Sequence, residues 1–352
     1  MNTDEEMREL DKEHVFYKSS YLSENTCRTY WTGIKAFVLV MLYFGFQPML
    51  PVSDEHLSKF IVFLARSVTM STIKTYLYGV RAWHLVMGFE FPPLTSRFEV
   101  FRTLQGVKRF VRTHSKPKLA MTADILIGIF QHLSDPWNNP VSCAIWCCFL
   151  VAYYGMFRKD NVSVRKAGSF NPNAHLCRED LVVSDGAGGL RVLWVRVRGS
   201  KTNQFKERVH YVALVEVPGS YMCPVTWWER HCVLNPAGPQ EPAFSFIGGR
   251  GTPEAMTHAF LVKMLKELLT LAGYDATSFS GHSFRRGGAT DAFNLRSSPD
   301  QIQLQGDWMS TAYLRYNELD EPYRLQLPTQ MAQSVQALAP VWEWESDSKS
   351  QC

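Results

Sequence analysis

Apolar residues recur with helical spacing through most of the first 114 residues. From Trp31 to Leu42 they follow one another at steps of three or four, which places them on one face of a helix over 26–46. Ser53 can cap a second helix that runs through Leu64, and further helices are predicted over 71–87 and 97–111. No stretch there alternates as a strand does. The pattern predicts a compact four-helix unit.

The rest of the chain mixes helices with one β-rich region. Strands are predicted at Leu181–Val183, Leu190–Val197 and Arg208–Val215, where residues alternate or run apolar between turns. Helices are predicted over 122–133, from Pro140, over 224–234, over 253–272 with Thr252 as N-cap, from about 284, 299 and 309, and over 326–338. The predicted fold class is mainly α with a small antiparallel β-sheet.

Charge is distributed unevenly along the 352 residues. The chain has 37 basic and 33 acidic residues, yet residues 1–14 carry six acids and two bases, and residues 339–352 carry three acids and one base. The body between these acidic tails therefore has a net charge of +10, concentrated at 97–118 and 191–210. A basic body favours a polyanionic partner such as nucleic acid, although a solvated surface is the alternative.

The remaining composition narrows the class of protein. Eight cysteines form no CxxC pair, which is typical of reduced core thiols, and Cys223, His231 and Cys232 fit no zinc module, so no metal or cofactor is expected. The longest apolar run, Cys143–Phe157, is too short for a bilayer. The acidic start is untypical of a secretory signal or transit peptide. We expect an intracellular protein without a membrane or small-molecule partner.

Polar residues with the chemistry for phosphodiester cleavage occur in order along the second half. Such a reaction without metal needs guanidinium groups on the phosphate, a nucleophile, and an acid for the leaving oxygen. The candidates are Arg158 after a long apolar helix, Lys201 in a predicted β-turn, His282 and Arg285 in GHSFRRGGAT, and Tyr316 in GDWMSTAYLRY. Each has a structural alternative: Arg158 as a helix cap, Lys201 as a solvated lysine, His282 as a polar residue near a helix start, Arg285 as a surface base and Tyr316 as a core tyrosine.

The order of these motifs resembles the tyrosine recombinase family of phage-integrase-like enzymes. The resemblance rests on YYGMFRKDN, SKTNQFKER, GHSFRRGGAT and GDWMSTAYLRY, and the last two are closest in phrasing to Crypton-like recombinases of eukaryotic mobile elements. It implies an acidic tail at 1–14, a helical core-binding (SAM-like) domain at 15–113, a linker at 114–121, an α+β catalytic domain at 122–338 and an acidic tail at 339–352.

The resemblance also implies a function. Arg158 matches the first catalytic arginine of the family, and His282 and Arg285 match its H-x-x-R box. Lys201 would be the general acid for the 5′-hydroxyl leaving group, and Tyr316 would form a 3′-phosphotyrosyl link. The expected activity is site-specific recombination or integration of double-stranded DNA for a mobile element, without metal or ATP. The protein would act as a homotetramer on two DNA sites, with the helix at 326–338 as a candidate contact between protomers. In a eukaryote the location would be the nucleus.

Two positions depart from the family pattern. The family carries His or Trp directly after the glycine of its last box, whereas here Asp307 follows Gly306 and Trp308 comes next, so either is a candidate for that position. The family also often has an acid three residues after the first arginine, where this chain has Asn161. A DNA-binding protein of the same fold with impaired catalysis is therefore the alternative function, and a relaxing topoisomerase is a third reading.

Candidate DNA contacts outside the reaction centre come from three places. The predicted helix over 71–87 carries Lys74, Tyr76 and Arg81 on its polar side. The linker carries Lys116 and Lys118, and the basic hairpin carries Arg198 and Thr202. The alternative for the helix is a bundle element with a solvated polar face.

Overall fold

The computed structural model describes residues 3–110, 118–199, 209–248, 252–316, 325 and 328–333. The chain forms two compact units, Met1–Ser115 and Lys116–Cys352. The first unit is helical and the second combines helices with small antiparallel sheets, so the predicted fold class is confirmed. No helix in the described ranges is long and apolar enough to cross a membrane.

The first unit has five helices among its described residues. They are α1 (Thr3–Ser19), α2 (Glu24–Tyr43), α3 (Asp54–Leu64), α4 (Met70–Val86) and α5 (Phe98–Phe110). The predicted cap forms at Ser53, whose side chain accepts a backbone N–H group at the start of α3. Ser23 and Thr69, which were not predicted as caps, do the same at the starts of α2 and α4. The predicted four helices therefore exist, and α1 is an additional helix that begins at Thr3 within the acidic segment 1–14.

Two glycines bring α2 and α4 into backbone contact. A Cβ atom added to Gly79 of α4 would lie 2.5 Å from the Tyr30 carbonyl oxygen of α2, and one added to Gly33 of α2 would lie 2.7 Å from the Tyr76 Cα of α4. The close crossing packs Phe37 and Leu77 into the core of this unit.

Substitution of Gly79 by alanine is expected to destabilise the first unit. The added methyl group meets backbone rather than a movable side chain, so the helices must separate, at a cost of about 1–3 kcal/mol. Urea unfolding measures the change. Gly106→Ala is the control, because Gly106 lies in α5 with no atom within 4 Å of an added Cβ, and gains up to about 1 kcal/mol of helix propensity. Equal unfolding midpoints for the two variants would contradict the proposed close crossing.

The second unit is built around a helix that is buried on all sides. Its described elements, in chain order, are α6 (Ala123–Phe130), α7 (Pro140–Tyr154), α8 (Lys159–Val162), β1 (Leu181–Asp185), β2 (Arg191–Val197), β3 (His210–Val215), α9 (Pro224–Leu234), β4 (Ser245–Ile247), β5 (Pro253–Ala255), α10 (His258–Leu271), α11 (Ser283–Asn294) and α12 (Pro299–Gly306). Every residue of α7 from Ser142 to Tyr153 is buried, which explains why its sequence has no polar face.

The three predicted strands form one antiparallel sheet in the order β1–β2–β3. Leu181 pairs with Val195, and Val195 pairs in turn with Val212, so their side chains share the face that packs on the core. The segment that carries Lys201 connects β2 to β3. A contact that holds β3 in place therefore also holds the point at which that segment ends.

The helix predicted over 253–272 is wrong at its start. Residues Pro253–Ala255 form β5, which pairs antiparallel with β4, and the helix begins only at His258 with Thr257 as its N-cap. Both Thr252–Pro253 and Thr257–His258 are plausible helix starts by local sequence, and the pairing with the distant strand β4 decides between them.

The C-terminal predictions have different outcomes. Ser298 caps α12 as expected, with Pro299 at its first position. The helix expected from about 309 is a short 3₁₀ helix, Thr311–Tyr316. The structure describes residues 328–333 of the helix predicted over 326–338, and these residues are helical and exposed. The other positions of that prediction lie outside the described residues.

Candidate active site

The turn after α7 places Arg158. Met156 has a left-handed backbone (φ 47°), its N–H donates to the Tyr153 carbonyl and the Phe157 N–H donates to the Ala152 carbonyl, which is the Schellman pattern of helix ends. A Cβ on Gly155 would lie 2.3 Å from the Phe157 ring, so this position must be glycine for the ring to fold back. The chain then reverses, and Arg158 becomes the N-cap of α8 instead of capping α7.

Asn161 holds the backbone of Arg158. Its Oδ1 accepts the Arg158 N–H at 3.0 Å, and its Nδ2 lies 3.5 Å from the Gly199 carbonyl oxygen, just beyond β2. The position at which the family often has an acid is therefore occupied by an amide that contacts both segments. Arg158 is half-buried, and no carboxylate of the described residues pairs with its guanidinium.

Two consecutive glycines allow α11 to pack against the backbone of its neighbours. A Cβ on Gly287 would lie 1.7 Å from the Met121 carbonyl oxygen, and one on Gly288 would lie 2.4 Å from the Tyr153 carbonyl oxygen at the end of α7. The sequence RRGGAT thus provides the close contact that brings Arg285 beside the turn before Arg158.

Arg285 is one of the largest fully buried side chains of the protein, with 2% of its surface exposed. Its Nη1 donates to the Met156 carbonyl oxygen at 2.6 Å. Its guanidinium carbon lies 3.6 Å from the centre of the Trp308 ring, a cation–π contact. The buried, stacked guanidinium has a fixed orientation, as phosphate binding requires.

Asp307 and Trp308 take different positions in this arrangement. Asp307 ends α12 in the left-handed conformation (φ 53°), which aspartate tolerates better than most residues, and is 9% exposed. The Trp308 ring then folds back over Gly306, where a Cβ would lie 1.6 Å from the ring. Of the two candidates for the His/Trp position, Trp308 is the one whose ring contacts Arg285.

His282 precedes α11 and lies within the same group of charges. Partial burial lowers the pKa of His282 below its usual value, and the positive charges of Lys159, Arg158 and Arg285 lower it further, while Asp160 opposes them. The neutral imidazole is therefore favoured at pH 7. The sequence interpretation missed Lys159, whose stem packs on Gly281 next to His282 and whose signal was the RKD triplet after the apolar helix.

Two of the predicted catalytic groups are described only in part or not at all. Lys201 lies outside the described residues. The backbone of Tyr316 ends the 3₁₀ helix Thr311–Tyr316, but its side chain is not described. Tyr313, one 3₁₀ turn earlier, is buried and stacks on Phe293 of α11 with a centroid distance of 5.8 Å. Tyr313 is a core residue of this unit.

The predicted DNA contacts of the first unit lie on α4. Lys74 is exposed, whereas Tyr76 and Arg81 are half-buried, and Tyr76 packs against the core and faces Gly33 of α2. The role of these residues in DNA binding stays a prediction.

Two of the predicted DNA contacts of the second unit are paired within the protein, and their role in DNA binding stays a prediction. Arg198 donates to the buried Asp180 at 2.5 Å, to the Pro172 carbonyl oxygen at 2.8 Å and to Glu179, so its guanidinium holds the end of β2. Lys118 donates to the Thr277 carbonyl oxygen at 2.6 Å. These contacts favour a structural role for both residues. Lys116 and Thr202 lie outside the described residues.

Taken together, the described groups form an electropositive site with a neutral imidazole. Arg158 comes from the start of α8, Arg285 and His282 from the start of α11, and Trp308 from the end of α12. Two guanidinium groups beside an imidazole can bind the non-bridging oxygens of a phosphodiester and move a proton. No described group of His, Cys, Asp and Glu side chains has an arrangement suited to a metal ion.

Solved structures share this architecture. XerH site-specific recombinase bound to difH substrate is 13% identical with a TM-score of 0.54, and the match covers 90% of this chain and 79% of that one. A Tn1549 transposon integrase variant in complex with transposon right end DNA is 11% identical with a TM-score of 0.54, and the match covers 93% and 98% of the two chains. The same integrase in complex with circular intermediate DNA is 13% identical with a TM-score of 0.51, covering 88% and 98%.

These matches define the class of fold: a helical unit followed by an α+β unit, as in DNA-bound integrases and recombinases. The chain has the fold of the tyrosine recombinases, which confirms at the level of the fold the resemblance that the motifs indicated. No family model matches the sequence, and no curated protein matches it.

Proposed function

We propose that the protein is a DNA strand transferase that cuts and rejoins double-stranded DNA through a 3′-phosphotyrosyl intermediate. The observation that carries the proposal is that Arg285, 127 positions after Arg158 in sequence, donates to the Met156 carbonyl oxygen in the turn just before Arg158. The charges of both arginines also lower the pKa of His282. A pair of guanidiniums at one point suits a phosphate, and the recombinase fold supports a DNA substrate.

In each direction, the proposed reaction forms one bond to phosphorus and breaks another. The Tyr316 oxygen attacks the phosphorus in line, the bond from phosphorus to the 5′-oxygen breaks, and the phosphate becomes attached to the tyrosine. Neutral His282 is suited to accept the phenol proton, and Lys201 would donate a proton to the leaving 5′-oxygen. Attack by a free 5′-hydroxyl reverses these steps on a new strand. The phosphoester energy is retained, so the chemistry needs no ATP.

The finer parts of the proposal concern assembly and biological role. The segments 15–113 and 122–338 would be the core-binding and catalytic domains, and α4 with Lys74 and Arg81 would contact the DNA. A homotetramer on two DNA sites, with 326–338 docking between protomers, would perform strand exchange for a mobile element, in the nucleus of a eukaryotic host. The basic charge of the body supports the DNA partner.

A covalent-trapping experiment tests the central proposal. Duplexes with a randomised centre are selected for binding and remade as nicked suicide substrates. We expect a protein–DNA adduct that survives denaturation. Trypsin cleaves after Arg315 and thus separates Tyr313 from Tyr316, so the fragment spectrum of the 316–324 peptide identifies the attached residue.

The outcome also decides between the two functions. The observation that favours an impaired DNA-binding protein is Asp307, a buried acid directly after Gly306, where the family would have His or Trp. Tight binding of selected duplexes without any adduct would support that function and reject the transferase. An adduct mapped to Tyr316 would reject it.

A further inference from the structure

Gln305 near the end of α12 donates two hydrogen bonds to two different segments of the second unit. Its Nε2 lies 2.9 Å from the Tyr154 carbonyl oxygen and 3.1 Å from the Ala213 carbonyl oxygen. Both partners are acceptors, so the atom between them must be the amide nitrogen with its two protons. The side chain is half-buried, where hydrogen bonds are better shielded from water.

The carbonyls of Tyr154 and Ala213 each lack a hydrogen-bond partner within their own helix or sheet, because of where they lie in it. Tyr154 is the last residue of α7, and the Schellman turn uses the carbonyls of Ala152 and Tyr153 but not that of Tyr154. Ala213 belongs to β3, the edge strand of the described sheet, where alternate carbonyls point away from β2. The Gln305 amide therefore donates to two backbone carbonyls that have no hydrogen-bond partner within their own helix or sheet.

The two carbonyls belong to the chain segments that carry the proposed reaction centre. Tyr154 precedes Arg158 by four residues, and β3 ends the segment that contains Lys201. Gln305 itself precedes Trp308 by three residues, and the Trp308 ring lies on Arg285. Loss of the amide would let α12, the end of α7 and the sheet shift relative to one another, although each would keep its own packing.

We propose that Gln305 is a positioning residue that holds the end of α7, the edge strand β3 and the end of α12 in a common geometry, and with them Arg158 and the Trp308–Arg285 stack. The inference rests on the proposed function, since it concerns the alignment of that reaction centre. Gln305 touches none of the reacting atoms in this account. Its effect is on the rate of cleavage and not on the affinity for DNA.

Gln305→Glu is the informative variant, because it keeps the size of the side chain and replaces the two donors by a carboxylate that faces two carbonyl oxygens. At pH 7.5 we expect single-turnover cleavage of the suicide duplex at saturating protein to be about 10²-fold slower than wild type, as for a misplacement of about 1 Å. The DNA dissociation constant should change less than about threefold, which is under 1 kcal/mol.

The pH profile separates positioning from general damage. Two facing carbonyl oxygens disfavour the carboxylate, so the pKa of the introduced glutamate is raised, and its protonated form regains one donor as the pH falls. The ratio of variant to wild-type rate should therefore rise from pH 7.5 to 5.5. Gln305→Met, which has similar volume and no donor, should be slow at every pH.

Gln303→Glu is the matched control, with the same change two residues earlier in the same last turn of α12. We expect wild-type cleavage and an unchanged pH profile from it. The positioning role would be overturned by a wild-type rate for Gln305→Glu, or by a slow rate whose ratio to wild type does not rise at low pH. Absence of an adduct with the wild-type protein would instead reject the proposed function and this inference together.

Discussion

Tyr316→Phe is expected to abolish the covalent adduct on the suicide duplex while DNA binding stays within about threefold of wild type. The substitution removes only the phenol oxygen, which the proposed reaction uses as its nucleophile. Denaturing electrophoresis measures the adduct, and a mobility shift with the same labelled duplex measures binding.

Tyr313→Phe is the control for this experiment. It makes the same chemical change one 3₁₀ turn earlier, on a ring that is 4% exposed and stacks on Phe293. We expect full adduct formation from this variant because the stacking contact remains. A wild-type adduct in Tyr316→Phe would reject Tyr316 as the nucleophile, and loss of the adduct in Tyr313→Phe alone would assign the reaction to the other tyrosine.

Arg285→Lys should slow cleavage by about 10²–10³-fold, the usual cost of removing one group that stabilises the charge of the transition state. The positive charge is kept, but lysine has no planar fork of donors and cannot stack on Trp308 while it donates to Met156. Single-turnover cleavage at saturating protein measures the effect. The DNA affinity should change far less, because overall charge dominates binding.

Arg230→Lys controls for the local disruption that the substitution causes. Arg230 also lies over a tryptophan ring, that of Trp137 at 5.0 Å, and donates to the Trp137 carbonyl oxygen at 2.6 Å, but on α9. Arg230→Lys loses contacts of the same kind, but Arg230 has no proposed catalytic role. Cleavage should therefore stay at the wild-type rate. Equal losses in both variants would show that Arg285 acts through stability, and a wild-type rate in Arg285→Lys would remove it from the mechanism.

The elements were predictable where the signal is local. Ser53 and Ser298 start helices because a hydroxyl accepts a backbone N–H two or three residues on, whatever surrounds it. The strands of the three-stranded sheet were found because β-branched residues alternate between turns. The start of α10 was misplaced by five residues because β5 depends on pairing with β4, which no local pattern contains.

The candidate site was predictable in its residue types and not in its contacts. The order of Arg158, His282 and Arg285 is read from motifs, and only the structure shows that Arg285 donates to the turn that precedes Arg158. The contact of the Trp308 ring with Arg285 could not be read from the motif and was visible only in the structure. The pairing of Arg198 with the buried Asp180, eighteen residues away, was visible only in the structure. The predicted contact of Arg198 with DNA stays a prediction.

The amino-acid sequence alone determined the helical and β-rich regions, the basic body between acidic ends, and the set of groups with phosphodiester chemistry, because spacing, capping and charge are properties of neighbouring residues. The tertiary structure decided that the Trp308 ring lies on Arg285, that glycines bring α11 against α7, and that Gln305 donates to the carbonyls of Tyr154 and Ala213. Those contacts link residues up to about 150 positions apart, and only the packing of whole elements sets their distances.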